Sequence, residues 1–450
     1  VATAELAERA ILFVEGEGQA TVTRERSLLS RFARSAPTQA TEVDDTSVQF
    51  LSVRDGHLGA AETNVLTDDA LRAAARRAGE AAQESAAAGD GDHPGLRAPG
   101  SPPRPHDGFD ARTALLDPAL AGAALSTAFE VCGERSLEAF GIWTAGDVET
   151  AIATTTGTRA EDRVTDAYMK VIARDARGRT GWAAAGGPAA AAVDPAALAA
   201  EAASKVTPED PVDVAPGEYD VVLDADAVGG LLDFLGFLAF NGLAHAEGRG
   251  ALAGRLGTRV AAPAINLADS PRFPGTLPRA FDFEATPKAP LPLIQDGIAH
   301  RVVHDSRSAA RAGDGAVSTG HAVAPGGAPG GPHPTNLVLA GGGAADLAEL
   351  CAPIERGLYV TRLWYLNPVH EQQTLITGTT RDGTFLIEDG KISRPARDVR
   401  ITDSILRILE ATEALSATPR LVCEADFYGR RFAYGQVCPA VRAGGLRVTG

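Results

Sequence analysis

His300-Arg-Val-Val-His304 places two imidazoles four residues apart, the spacing of a zinc-binding helix. It follows Asp296-Gly297, however, in a run through Val303 that is patterned as a strand. Along a strand, residues four apart lie about 13 Å from each other at about 3.3 Å per residue. Zinc needs both nitrogens at about 2.0–2.1 Å, and no Glu stands between the two His, as a zinc peptidase requires. His245-Ala-Glu247 has the H-x-E order of zinc deaminases without the P-C-x-x-C partner, since Cys438-Pro439 runs in reverse with no second Cys. Ser318-Thr-Gly-His321 brings a hydroxyl and an imidazole close in sequence. A nucleophile also needs a base placed in space and an oxyanion site, which spacing alone does not supply. Gly326-Gly-Ala-Pro-Gly-Gly331 lacks the G-K-[ST] ending of a phosphate loop and reads as a flexible turn. Trp364-Tyr365, beside Arg362, reads first as core packing and second as a ligand wall. No complete catalytic constellation emerges from these residues; His245, Glu247, His321, Trp364 and Tyr365 remain candidates for lining a groove.

The elements that would position them divide the chain at the Pro208, Pro211 and Pro216 cluster. Residues 1–212 read as an N-terminal α/β domain. Helices are expected from Thr3 to Leu12, from Asp68 or Asp69 to Gln83, from Pro118 to Cys132 and from Ala196 to Lys205, the last two opened by Asp-Pro pairs. Strands are expected at Gln19–Leu29, on both sides of the Asp55-Gly56 turn, at Glu138–Thr144, at Glu149–Thr156 and at Ala160–Ala173. A Pro/Gly-rich loop, 84–110, interrupts the domain and carries His93 and His106 into solvent. Gly181–Ala192 reads as a loose turn.

Residues 213–450 begin with the strand Tyr219–Leu223 and the most apolar stretch of the chain, Ala225–Gly250. Val228, Leu231, Leu232, Leu235 and Leu238 recur at helical spacing, with Phe234 and Phe237 on the other side, so one buried helix is expected. Asp226 is its expected cap, and Asn241-Gly242 its expected end. Asp-Gly turns at 296–297 and 389–390, and Asp382-Gly383 before a strand, point to antiparallel β structure in a curved or barrel-like sheet. The fold class read from the sequence is α+β.

Composition narrows the function. The chain has 42 basic and 58 acidic residues, a formal charge of −16, which argues against nucleic acid or an anionic membrane as partner. Only four of the basic residues are Lys, as expected of a GC-rich bacterial genome. Cys132, Cys351, Cys423 and Cys438 show no C-x-x-C spacing and are expected as separate reduced thiols. No signal peptide is expected, and no uncharged apolar run approaches the ~20 residues of a spanning helix. A cytoplasmic protein is the expectation.

Scattered through the chain are Arg31-Phe-Ala-Arg-Ser-Ala-Pro-Thr-Gln39, Ala253-Gly-Arg-Leu-Gly-Thr-Arg-Val-Ala261, Leu293-Ile-Gln-Asp-Gly297, Ser318-Thr-Gly-His321, Pro334-Thr-Asn-Leu-Val-Leu339, Glu355-Arg-Gly-Leu-Tyr-Val-Thr361 and Phe385-Leu-Ile-Glu-Asp-Gly-Lys391. In this order the sequence resembles the TldD/PmbA family, whose bacterial members pair as TldD and TldE subunits. The resemblance implies that a TldD subunit is a zinc peptidase. Its H-E-x-x-x-H helix lies before the segment similar to 253–261, and a Cys in a C-G-K motif near the C-terminus completes the ligands. On that pattern this chain has Asp233 at the first His, Phe234 at the Glu, Leu238 at the second His and Tyr428 at the Cys. No His occurs anywhere in 227–244. The implied reading is a TldE-like subunit with no catalytic or metal residue of its own. It would be paired with a zinc-bearing TldD-like subunit and act on extended peptides, including natural-product precursors. Two rivals stand beside it: a hydrolase using His245, Glu247, His321 and Cys438 on a peptide or amino-acid conjugate, and a homodimeric binding or scaffold protein.

Overall fold

The computed structural model describes residues 2–87, 91–313, 315–423 and 429–450. Its N-terminal half is built on a six-stranded, fully antiparallel sheet in the order His57–Thr63, Ala36–Arg54, Glu17–Ala33, Glu138–Thr154, Arg159–Arg174 and Thr180–Gly187. Side chains two apart on a strand share a face. Ala139, Trp143 and Ala145 of the fourth strand pack under the helices Pro118–Glu134 and Pro195–Ser204. Ala151 and Ala153, on the same face, pack under Thr3–Ile11 and Asp68–Ala86. The alternate residues face the second half of the chain: Ile142 meets Cys423, Ile152 meets Phe281, and Thr144 accepts from Arg431 Nη1 at 2.9 Å. The sheet thus has helices on one face and the C-terminal half on the other.

That arrangement corrects several local expectations. Glu138–Thr154 is one strand, not two, because both its faces are covered. Gly146, where the sequence pattern breaks, is required there: a Cβ would stand 2.1 Å from Arg431 Nε. Residues expected as a loose turn form the edge strand Thr180–Gly187. His93 and His106 are not solvated. His93 is buried, and His106 Nε2 lies 2.8 Å from Asp162 Oδ1.

Between Ser204 and Gly217 no helix or strand forms. The C-terminal half then folds as two sheets around one core. The larger runs from the edge strand Leu363–His370 through Leu375–Thr380, Arg400–Ser404, Val441–Val448, Gly217–Leu223, Arg356–Val360 and Thr384–Glu388 to Lys391–Pro395. Thr412–Leu415 pairs beside Val441–Val448. The smaller orders Ile298–Ala299, Leu291–Gln295, Leu267–Asp269, Leu337–Leu339, Gly435–Cys438 and Arg420–Cys423. All pairings but two are antiparallel, and no sheet closes into a barrel among the described residues. The strand expected to reach Val303 ends at Ala299. Leu231, Leu232, Leu235 and Leu238 of the helix Ala225–Leu238 join Leu293, Leu337, Val221 and Leu358 of the two sheets in one core. Each such side chain contributes roughly 1.5–3 kcal/mol on burial. Among the described residues no helix is long and apolar enough to cross a membrane.

Candidate functional site

Ala225–Leu238 is capped by Asp224, whose carboxylate accepts from Ala225 N at 2.7 Å, and not by Asp226. Asp226 is two residues further on, in the first turn, buried, and ion-paired to Arg420. Burial pushes its carboxyl up to about 6 against the pull of Arg420. The helix stops at Leu238. Asn241 opens a second short helix, Gly242–Ala246, by accepting from Leu243 N and Ala244 N. The long apolar stretch is therefore two helices, and the first is not buried all round: Phe237 is 50% exposed and stacks on His333 at 4.0 Å.

Asp226, Gly229, Gly230, Asp233 and Phe234 follow one another at i, i+3, i+4, i+7 and i+8, a single helical stripe. This stripe is the floor of an open cleft of about 370 Å³. Its walls come from Trp364, Tyr365 and Leu366 on the edge strand, Trp182 from the N-terminal sheet, and Tyr434 and Gln436. Gly229 is there because a Cβ would come 2.6 Å from the side chain of Val422. Trp364 and Tyr365, expected first in the core, are 43% and 73% exposed and stand in the wall. Tyr365 holds a left-handed φ of 54°. Arg362 stacks on Trp182 at 4.9 Å and pairs with Asp382 at 2.7 Å. Asp233 Oδ1 accepts from Gln436 Nε2 at 2.9 Å, and His333 Nε2 approaches the same oxygen at 3.5 Å.

Of the other candidates, none joins this floor. His321 is fully buried, with Nε2 at 3.2 Å from Asp269 Oδ1 and Nδ1 at 2.9 Å from Thr319 Oγ1. Lys288 Nζ sits 3.4 Å from the same Asp269 oxygen. Burial alone would raise the Asp269 carboxyl, but Lys288 and His321 outweigh it and hold it well below the usual range. Ser318 bonds weakly to Thr286 and the His304 carbonyl and makes no pair with His321. His245 lies in the last turn of the second helix, and Glu247 is its C-cap. Burial lowers the His245 pKa, and Glu247 pairs with Arg249 at 2.8 Å. His304 bonds Ser308 Oγ at 3.2 Å, while His300 is exposed. Cys438 is buried, donates to the Ala225 carbonyl at 3.3 Å, and has its thiol pushed up by that burial. Among the described residues, His245, Glu247, His321 and Cys438 share no partner and form no common centre. Tyr428 lies outside the described residues.

A hydrolytic zinc ion needs about three protein ligands near 2.0–2.3 Å and a carboxylate base. Phe234 supplies a ring and Leu238 a buried alkyl chain, neither a donor. Among the described residues no group of three His, Cys, Asp or Glu side chains is arranged to hold a metal. The residues of this floor do not fit zinc.

His333, Gln436, Tyr434 and Trp182 escaped the sequence reading. They come from distant segments, and only the spacing of Asp226, Gly229, Gly230 and Asp233 along the helix hinted that one face is not core.

Residues 216–450 match the model of the PmbA/TldA metallopeptidase C-terminal domain, and residues 110–207 that of the central domain. The chain belongs to the PmbA/TldD family. A metalloprotease of Methanothermobacter thermautotrophicus is 25% identical to this family member over 208 residues, 46% of the chain. That match spans 44% of the relative, less than half its length. Among solved structures, TldE from Thermococcus kodakarensis superposes with a TM-score of 0.85 at 19% identity, over 99% of each chain. A proposed DNA gyrase modulator of Thermotoga maritima gives the same figures. Another, from Bacteroides thetaiotaomicron, gives 0.80 at 17% identity, over 99% of this chain and 98% of that one. At these identities the structures show that the PmbA/TldD-family chain shares their fold.

Proposed function

We propose that this chain is the non-catalytic, TldE-like subunit of a heterodimeric metallopeptidase. A zinc-bearing TldD-type subunit would supply the chemistry, and this chain would supply one wall of the groove that holds an extended peptide, in the cytoplasm. The observation that carries the reading lies on the helix Ala225–Leu238: Asp233, Phe234 and Leu238 present a carboxylate, a phenyl ring and a buried alkyl chain, where the family resemblance implies two imidazoles and a base. The stripe from Asp226 to Phe234 lines an open cleft, which gives an extended peptide room on this face. The neighbouring strand Leu363–His370 is a sheet edge, and an extended peptide can be held by adding a strand to such an edge. The four cysteines are free thiols, in keeping with a reducing compartment.

The test is to purify the chain alone and together with a TldD-type subunit, and to measure metal content, stoichiometry and peptidase activity. The expected result is substoichiometric zinc and no activity alone, and a 1:1 complex with zinc and activity when combined. One zinc per chain on the isolated protein, or no association at micromolar concentration, overturns the reading.

A further inference from the structure

The two carboxylates on the cleft floor differ in what balances them. Asp226 is paired with Arg420. Asp233 has no Lys or Arg within ion-pair distance among the described residues; its neighbours are the Gln436 amide and the His333 ring. Both act on Oδ1, which leaves Oδ2 without a protein partner among the described residues. The Asp233 side chain is 27% exposed, so it is open to the cleft, whereas His333 beneath it is 95% buried and makes no hydrogen bond through either ring nitrogen. Gly229 and Gly230 add no side chain to the floor beside Asp233, and the rings of Phe234, Trp364, Tyr365 and Tyr434 line the same cleft.

Aromatic faces attract cations through the ring quadrupole, and a carboxylate without a counter-ion attracts them by charge. The rings of this cleft already take cations from the protein itself: Arg381 lies 4.0 Å from the Trp364 ring and Arg362 4.9 Å from Trp182. Both guanidinium groups are tied to Asp382, at 3.8 and 2.7 Å, and so do not neutralise Asp233. A volume of about 370 Å³ falls within the range of about 300–1,000 Å³ typical of small-ligand pockets.

We propose that the cleft is a subsite for a cationic group of an extended peptide, an ammonium or guanidinium seated between Asp233 and the rings of Trp364 and Tyr365. This rests on the peptide-groove reading above and names the chemistry that the groove selects. A lysine or arginine side chain and a free amino terminus offer the same chemistry, and defined peptides separate them.

The isolated chain is titrated with acetylated, amidated pentapeptides that differ only in the central residue: lysine, norleucine or glutamate. A norleucine peptide with a free amino terminus is the fourth probe. Binding is read by tryptophan fluorescence, since Trp364 lines the cleft, and by calorimetry. The lysine peptide is expected to bind about tenfold more tightly than acetylated norleucine, with glutamate weakest. If the free amino terminus restores the affinity of the norleucine peptide, the α-ammonium is the natural occupant. Asp233→Asn is expected to erase the difference between lysine and norleucine. Tyr365→Ser, at an exposed wall position, provides a second variant and is expected to reduce the difference severalfold. Equal affinity for all four peptides, no measurable binding at millimolar concentration, or a full cation preference in folded Asp233→Asn overturns the subsite. The titration uses this chain alone. A failure to pair with a zinc-bearing subunit would sink the subunit assignment and not the subsite; pairing without cation preference would do the reverse.

Discussion

Two of the molecule's aspartate–histidine pairs, Asp269–His321 at 3.2 Å and Asp233–His333 at 3.5 Å, stand in opposite surroundings. Asp269 is inaccessible to solvent. It accepts from Asn336 N and is flanked by the buried ammonium of Lys288, so its charge is fully answered from within the fold. Asp233 lies at a cleft floor with an amide and an imidazole for company and, among the described residues, no Lys or Arg within ion-pair distance. The same residue types therefore serve two ends. Surrounded by compensating charge, the pair is part of the scaffold; left uncompensated beside open space, it is a place for something else to bind.

Removing a partner from each pair should separate the two roles. Lys288→Met strands the Asp269 carboxylate in the interior, and breaking a buried pair in this way costs roughly 3–5 kcal/mol. Denaturant unfolding is expected to show that loss directly, and a cost below about 1 kcal/mol would mean the scaffold pair is no more essential than the cleft pair. The second effect tests a carboxyl that lacks the compensation Asp269 enjoys. Burial, then neighbouring Asp282 and Asp305, push the Glu284 carboxyl up to about 8 despite its bonds from Ser306. Its folded-state value lies above its unfolded one, so the folded state binds more protons between the two. Stability is present below the unfolded value and lost as pH rises through about 8. Glu284→Gln should therefore raise Tm relative to wild type at pH 9 and leave it nearly unchanged at pH 4; the opposite ordering in calorimetry would refute the assignment. Asp233→Asn should cost under about 1 kcal/mol in the same unfolding assay, because no buried charge is left stranded. Smallest of all, Tyr365→Gly should be neutral or stabilising by up to about 1 kcal/mol, since its left-handed φ of 54° suits glycine, while removing a ring from the cleft.

Much of the scaffold was legible because its signals are local. Asp55-Gly56, Asp296-Gly297 and Asp389-Gly390 all adopt left-handed φ at both positions and turn the chain where a two-residue hairpin demands it. The Asp-Pro starts at 117–118 and 194–195 cap helices as their residue types require. Thr180–Gly187 was missed for the opposite reason. Its alanines and glycines carry no strand preference, and it is fixed by Arg159–Arg174 beside it and by the helix above, where a Cβ on Gly181 would meet the Ala202 carbonyl at 2.1 Å. The cleft was half legible. Helical spacing marks the core face through Leu231, Leu232, Leu235 and Leu238, and Phe234 and Phe237 make the opposite side look like more packing. Nothing local ties His333 to Asp233, which lies 100 positions earlier, or Gln436 to the same carboxylate. Trp364 and Tyr365 carry the composition of a core strand, and only their place on a sheet edge leaves them exposed.

The seam between the two halves has a consequence of its own. Arg431 reaches across it to pair with Asp166 at 2.6 Å, with both side chains almost wholly withdrawn from water, and fills the space that Gly146 leaves vacant. Opening the seam would also uncover the apolar clusters that Ile142 and Ile152 join across it, so burial as well as charge holds the halves together. A protease cut in the proline-rich connection between Ser204 and Gly217 should leave two fragments that still travel as one particle on a sizing column and melt in one step.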